Sequence, residues 1–205
     1  MKISRSMNLI VPVETDAGTA YIHSMPISKE IYREHFFILG KTFSAIFSEG
    51  LGAMAGPRVA YLMLEKLSKE GDIWEGPQGV KNTLVNEIIR LSNLVYPVEG
   101  KGWDSKPLDV AIDSGVVEID DVISELVFFT CVCAINKPDQ ATPLMSVVSG
   151  LWNSAITSLS LTAWIASLPI SKPPASSGET GSTSSAKSST TAPDSASQSS
   201  SSIPG

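Results

Sequence analysis

Two short apolar segments near the start of the chain predict a β-hairpin. Residues 8–13 and 20–25 are rich in apolar and β-branched side chains, a composition typical of strands. The six residues between them, ETDAGT, include Asp16 and Gly18, which favour a turn. Pro26 is expected to end the second strand because its ring nitrogen cannot donate a backbone hydrogen bond.

The apolar pattern that follows has the period of a helix. Ser28 is a favourable N-cap, and Glu30 in the first turn complements the positive end of the helix dipole. Large side chains then recur every three or four residues, which places them on one helical face. They are Tyr32, Phe36, Leu39, Phe43 and Ile46.

Later apolar stripes predict further helices separated by turns and loops. Pro57 suits the first turn of a second helix, which Gly71 is expected to end. A third helix is predicted from the stripe formed by Val80, Leu84, Ile88, Leu91 and Val95. The segment KGWDSKPLDV, residues 101–110, is rich in turn residues and is predicted to be mainly loop. The remaining helical segments are predicted at residues 108–114, 119–136, 143–157 and 160–168.

One of these helices is apolar nearly all round. Residues 126–135 read LVFFTCVCAI, so no polar face is left for solvent. Such a helix is expected at the centre of the core or beneath a partner protein.

These elements predict a mainly α fold with two regions. Residues 1–170 are expected to form one compact multi-helix domain that begins with the short β-hairpin. Residues 171–205 contain 18 Ser or Thr among 35 residues and a single large apolar side chain, Ile203. Because such a segment has too little apolar surface to bury, it is predicted to be a disordered tail or linker.

Charge and composition narrow the classes of partner. The formal net charge is −6, and lysines and arginines are scattered without a basic run. This distribution argues against nucleic-acid binding. We expect no signal peptide at the N-terminus and no span of a membrane, because the apolar runs are too short or are interrupted by proline and polar residues.

Metal, cofactor and redox chemistry find little support in the residues. Cys131 and Cys133 lie two positions apart in the apolar run, where a helix points them in different directions. They are predicted to be buried, inert thiols. With only two histidines, His23 and His35, in the chain, no zinc motif is visible. No catalytic, metal-binding or cofactor-binding residues are therefore predicted.

Three motifs resemble functional signatures, and each has a structural interpretation that we favour. Residues 50–55, GLGAMA, fit a loose dinucleotide-binding pattern, but a helix rather than a strand precedes them. Residues 40–42, GKT, resemble the end of a phosphate-binding loop yet fall inside the best predicted helix. The carboxylates at Glu118, Asp120, Asp121 and Glu125 open a helix, where acidic residues complement the dipole; a charged rim facing a partner is the alternative.

Aromatic residues are the best candidates for contacts with a partner. The four tryptophans fall in predicted loops or late helices rather than on the main stripes, and such amphipathic rings are favoured at interfaces. Together with the all-apolar helix, they favour self-association or a protein partner over an enzyme. The candidate partner-binding residues are Tyr32, Phe36, Phe43, Trp74, Trp152 and Trp164.

Three stretches of the chain resemble the tail assembly chaperones of long-tailed bacteriophages. They are the stretch from PISKEIYREHF to YLMLEKL, the turn WEGPQGV, and SLSLTAWIASLPISKPPASSG. The resemblance covers most of residues 8–178 and rests on the general pattern of helices, turns and small residues rather than on a catalytic signature.

The resemblance implies a protein that acts in the host cell cytoplasm and is absent from the finished virion. Members of the family bind and solubilise the helical tape measure protein and help recruit tail tube protein around it. Some exist in a longer form, made by a ribosomal frameshift, that carries a tube-binding domain; residues 171–205 would then be its tether. The alternative is a structural tail or neck component of the virion with a flexible C-terminal arm.

Overall fold

The protein is described by a computed structural model that covers residues 7–50 and 52–169. All of these residues belong to one compact unit. The predicted tail at 171–205 lies outside the described residues. The strands are β1 Asn8–Thr15, β2 Gly18–Ser24, β3 Ser92–Val98, β4 Gly102–Pro107 and β5 Ala155–Thr157. The helices are α1 Lys29–Ser48, α2 Gly52–Glu70, α3 Asn86–Arg90, α4 Leu108–Asp113, α5 Ile119–Ile135, α6 Pro138–Leu151 and α7 Leu161–Ser167, and a π-helical segment, Lys81–Val85, leads directly into α3.

The N-terminal hairpin forms as predicted. β1 and β2 pair antiparallel from Leu9 opposite Ser24 to Thr15 opposite Gly18. Gly18 has a φ of 103°, a backbone conformation that favours glycine. The turn residues thus fix the register that places alternate side chains of both strands in the core.

The prediction of a mainly α fold is wrong, because the hairpin is the centre of a five-stranded antiparallel sheet. The strand order is β4-β3-β2-β1-β5. β3 pairs with β2 and β4 pairs with β3, while β5 pairs with the other edge of the hairpin at β1. The fold therefore combines a sheet with a layer of helices.

Three local errors account for the missed strands. The stripe that predicts the third helix runs through Leu91 and Val95. In the structure this helix ends at Arg90, and Val95 lies in β3. The segment predicted as loop forms the edge strand β4, where Pro107 at the strand end is tolerated. The helix predicted to reach residue 157 instead ends at Leu151, and residues 155–157 form β5.

Helix α5 is the centre of the helical layer. It packs against α1, α2, α6 and β1, and its apolar side chains Leu126 to Val132 are buried on every side. This confirms the central position expected of a helix without a polar face. α2 begins at Gly52, five residues before the predicted start at Pro57.

The face of the sheet opposite the main core carries a short covering segment. Alternation along β2 places Ala20 and Ile22 in the core and directs Tyr21 and His23 to the other face. There the α7 residue Trp164 lies edge-on to Tyr21, with ring centroids 5.4 Å apart. Residues 159–169 thus cover part of the outer face of the sheet.

Candidate functional site

Helix α1 has one buried face, which fixes the direction of the other. The Ile31 amide donates a hydrogen bond to Ser28 Oγ at 3.3 Å, which confirms the predicted N-cap. The helix packs against α2 and α5. Its buried residues are Tyr32, His35, Ile38, Leu39, Thr42 and Ile46.

Two adjacent phenylalanines stand on the exposed side of α1. Phe36 is 53% exposed and Phe37 is 71% exposed. The Lys41 ammonium lies 5.5 Å from the centroid of the Phe37 ring, which is within cation–π range. This amount of exposed aromatic surface on one turn marks a candidate contact site.

The phenylalanines line an apolar groove that runs along α1. Its volume is about 640 Å³, and we refer to it as the α1 groove. The α5 side chain of Ile135 lies over Gly40, where an added Cβ would meet Ile135 Cδ1 at 3.6 Å, an ordinary van der Waals distance. The remaining lining residues are Lys41, Ser44, Ala45, Ser48, Glu49 and Leu67 of α2.

Spacing explains why the groove is continuous. Gly40, Ser44 and Ser48 follow one another at intervals of four residues, so they share a helical face. Their side chains are short, which leaves space above the helix for the side chains of another polypeptide. The groove can therefore accept an apolar ridge such as the face of an amphipathic helix.

The six predicted partner-binding residues do not form one surface. Tyr32 and Trp74 are buried in the core. Phe43 is half-buried against the core and stacks near Phe47, with centroids 4.8 Å apart. Of the six, only Phe36 lines the α1 groove.

Trp152 and Trp164 lie elsewhere and have structural contacts. The Trp152 indole N–H donates a hydrogen bond to the backbone oxygen of Met54 at 2.9 Å, linking the end of α6 to the start of α2. Trp164 packs on Tyr21 and lies 6.1 Å from the ring of His23. Phe37 was missed because it falls outside the buried stripe, although its adjacency to Phe36 was a visible signal.

The prediction that both cysteines are buried is confirmed. Cys131 and Cys133 are free and buried. Burial raises the pKa of Cys131 to about 12 and raises the pKa of Cys133 as well. Both side chains stay as thiols at neutral pH, which makes them poor nucleophiles.

The two glycine-containing motifs, GKT and GLGAMA, have the structural roles that the sequence favoured. Residues 40–42 lie within α1, and residues 52–55 form the first turn of α2. Gly50 adopts a φ of 73° just after α1, as expected for a glycine that ends a helix. Within residues 7–50 and 52–169, no group of three or more His, Cys, Asp or Glu side chains is arranged to hold a metal ion.

The chain was compared with protein-family models, curated proteins and solved structures, and none of them matches. Every helix in the described part of the chain is too short or too polar to cross a membrane.

Proposed function

We propose that this protein is a tail assembly chaperone that binds apolar helical segments of a phage tape measure protein in the host cytoplasm. The observation that carries the proposal is the α1 groove, with Phe36 and Phe37 exposed beside it. The sequence resemblance supplies the class of client, and the groove supplies a surface of suitable chemistry.

The size and chemistry of the groove suit an apolar helix. A volume of about 640 Å³ lies in the range of sites that take several apolar groups. Helix-in-groove recognition uses side chains of the bound helix that are spaced at three, four and seven residues. The face of α1 formed by Gly40, Ser44 and Ser48 is long enough for two turns of contact. Burying one exposed phenylalanine contributes up to about 1.5–3 kcal/mol.

This energy suits a chaperone that must later release its client. A few exposed apolar side chains per copy give weak binding by each copy, so the many copies proposed to lie along an elongated client can leave it individually. Incoming tail tube protein would then displace them one by one. Recruitment of tail tube protein itself is proposed for a longer frameshifted form.

The direct test is co-expression with the tape measure protein. The variant Phe37→Glu places a charge in the α1 groove without touching the core and is expected to reduce the soluble fraction of the client severalfold. Leu62→Glu is the matched control, since Leu62 is 60% exposed on α2 outside the groove. The proposal is wrong if the client is equally soluble with the Phe37 variant or without the protein.

Mass spectrometry of purified particles separates this function from the alternative. A chaperone is absent from mature virions. A tail or neck component is present in stoichiometric amounts, and that result would replace the proposal.

A further inference from the structure

A second surface lies at the other end of α5, far from the α1 groove. A cleft of about 270 Å³ lies where the first turns of α5 meet α2 and the end of α6. The groups that matter in its lining are Arg58, Asp120, Asp121, Ser124, Glu125 and Trp152. Asp121 and Ile135 are 14 residues apart on α5, so this cleft and the groove are separated by about 20 Å.

Glu125 is the unusual member of this lining. It is only 8% exposed, and burial raises the pKa of its carboxyl group, an effect that the nearby Ser154 hydroxyl partly offsets. In the described part of the chain, Glu125 Oε1 and Ser154 Oγ each lack a hydrogen bond of ordinary geometry, so the Ser154 hydroxyl is only a weak donor to this carboxyl group. A buried carboxyl group that is weakly hydrogen-bonded costs free energy, so a stronger donor supplied by a ligand would be favourable here.

The acidic character extends beyond this cleft. An adjoining cleft of about 280 Å³ shares Asp121 and is also lined by Glu14 and Glu118. The two clefts together form an acidic band of five carboxyl groups. The dipole at the start of α5 compensates only part of this charge.

Among the described residues, Arg58 is the one cation in the lining of the two clefts, so carboxyl groups outnumber basic groups there. The described ion pairs, Lys69 with Glu65 and Arg90 with Glu87, both lie elsewhere. Arg58 forms no salt bridge with Asp120 or Asp121 in the described part of the chain. The band therefore attracts positive charge.

We propose that the acidic band binds an arginine- or lysine-bearing segment of a partner protein, with one basic side chain entering the cleft beside Glu125. A basic side chain supplies charged N–H donors, which are stronger than the Ser154 hydroxyl, and its charge matches Asp120 and Asp121. The Trp152 ring lines the same cleft, and its indole N–H is already held by Met54, so the ring is fixed for contact with a cation. A bare metal ion is a poorer ligand, because the described carboxylates do not converge into a metal site.

The test uses the full chain and two short peptides. Acetyl-Arg-Gly-Arg-amide is titrated into ¹⁵N-labelled protein at low salt, with acetyl-Gln-Gly-Gln-amide as the uncharged comparison. We expect saturable shifts of the Ser124 and Glu125 amides and of the Trp152 indole with the arginine peptide alone. Shifts that are absent, or that are spread over all acidic surfaces, would overturn the proposal.

Variants separate a specific site from general attraction to an acidic protein. Asp121→Asn with Glu125→Gln is expected to weaken peptide binding at least tenfold. Asp109→Asn with Asp113→Asn removes the same charge from exposed positions on α4 and is expected to change binding less than twofold. Equal weakening by both pairs would contradict the proposal, and Asp120→Asn at an exposed position provides a second measurement if the first pair folds poorly.

The result of the peptide-binding test does not depend on the α1 groove. The Phe37→Glu variant is expected to bind the arginine peptide normally, and the cleft variants are expected to leave the solubilisation of the tape measure protein intact.

Discussion

Gly56 shows how a single residue sets the distance between two helices. A Cβ at this position of α2 would overlap the ring of Phe128 in the centre of α5. The ring is fully buried, so it has little freedom to move away. Glycine at position 56 therefore permits the close packing of α2 against α5.

We expect Gly56→Ala to destabilise the protein even though alanine favours a helix. Alanine in place of glycine gains about 1 kcal/mol within a helix, whereas overpacking a core costs typically about 1–3 kcal/mol. Gly150→Ala is the matched control, because no atom lies within 4 Å of its added Cβ in α6; it is expected to be neutral or stabilising. Urea unfolding measures both, and a Gly56 variant as stable as the Gly150 variant would contradict the packing argument.

At the scale of elements, α7 is held to the sheet by contacts at both of its ends. Before the helix, the backbone oxygen of Leu159 accepts a hydrogen bond from Asn8 Nδ2 at 2.8 Å and lies 3.2 Å from His23 Nε2. After it, the Trp103 indole N–H donates to the backbone oxygen of Pro169 at 2.9 Å. These contacts make residues 159–169 part of the folded domain.

Two truncations test this assignment. Deleting residues 171–205 is expected to shift the melting temperature by no more than about 2 °C, since none of the contacts described above is removed. Deleting residues 159–205 uncovers Tyr21 and His23 and is expected to lower the melting temperature by at least about 5 °C. The loss of the contacts of α7 destabilises the domain, and 1 kcal/mol corresponds to about 2–4 °C at this chain length. Calorimetry distinguishes the two, and similar melting temperatures would show that α7 contributes little to stability.

At the scale of the whole molecule, buried ionisable groups make stability depend on pH. Burial lowers the pKa of His23 and of His35 below the usual 6.5. The unfolded chain therefore binds more protons below about pH 6.5, and the free energy of unfolding falls as the pH falls through this value. The raised pKa of the Glu125 carboxyl group has the opposite effect on the free energy of unfolding. Its stabilising contribution is lost as the pH rises above the ordinary pKa of 4.5.

We expect the free energy of unfolding to decrease between pH 7.5 and 5.5, because the two buried histidines become harder to keep neutral, and we expect Glu125→Gln to remove the opposing dependence that begins above pH 4.5. Denaturant titrations at several pH values measure the slope, and NMR titration of the two imidazoles checks that both pKa values lie below 6.5. A flat profile with ordinary histidine pKa values would refute the linkage.

Local sequence signals predicted the elements that depend on interactions between residues close together in the chain. Asp16 and Gly18 indicated the hairpin, Ser28 indicated the start of α1, and the apolar run at residues 126–135 indicated a central helix. These features depend on turn chemistry, helix capping and burial on all sides. Each of them can be recognised from a short stretch of sequence. Strand β3 gave a misleading signal because Val95 continued the helical spacing of the preceding stripe.

The hairpin, the principal helices and the burial of the two cysteines could be predicted from the sequence, because each follows from short-range periodicity and residue chemistry. That β3, β4 and β5 extend the hairpin into a sheet became clear from the folded chain alone, since these strands pair with residues far away in the sequence. The packing of the helices also determines which aromatic residues are exposed. Tyr32 and Phe36 share a helical stripe, yet the packing of α2 and α5 against α1 buries Tyr32 and leaves Phe36 beside the groove.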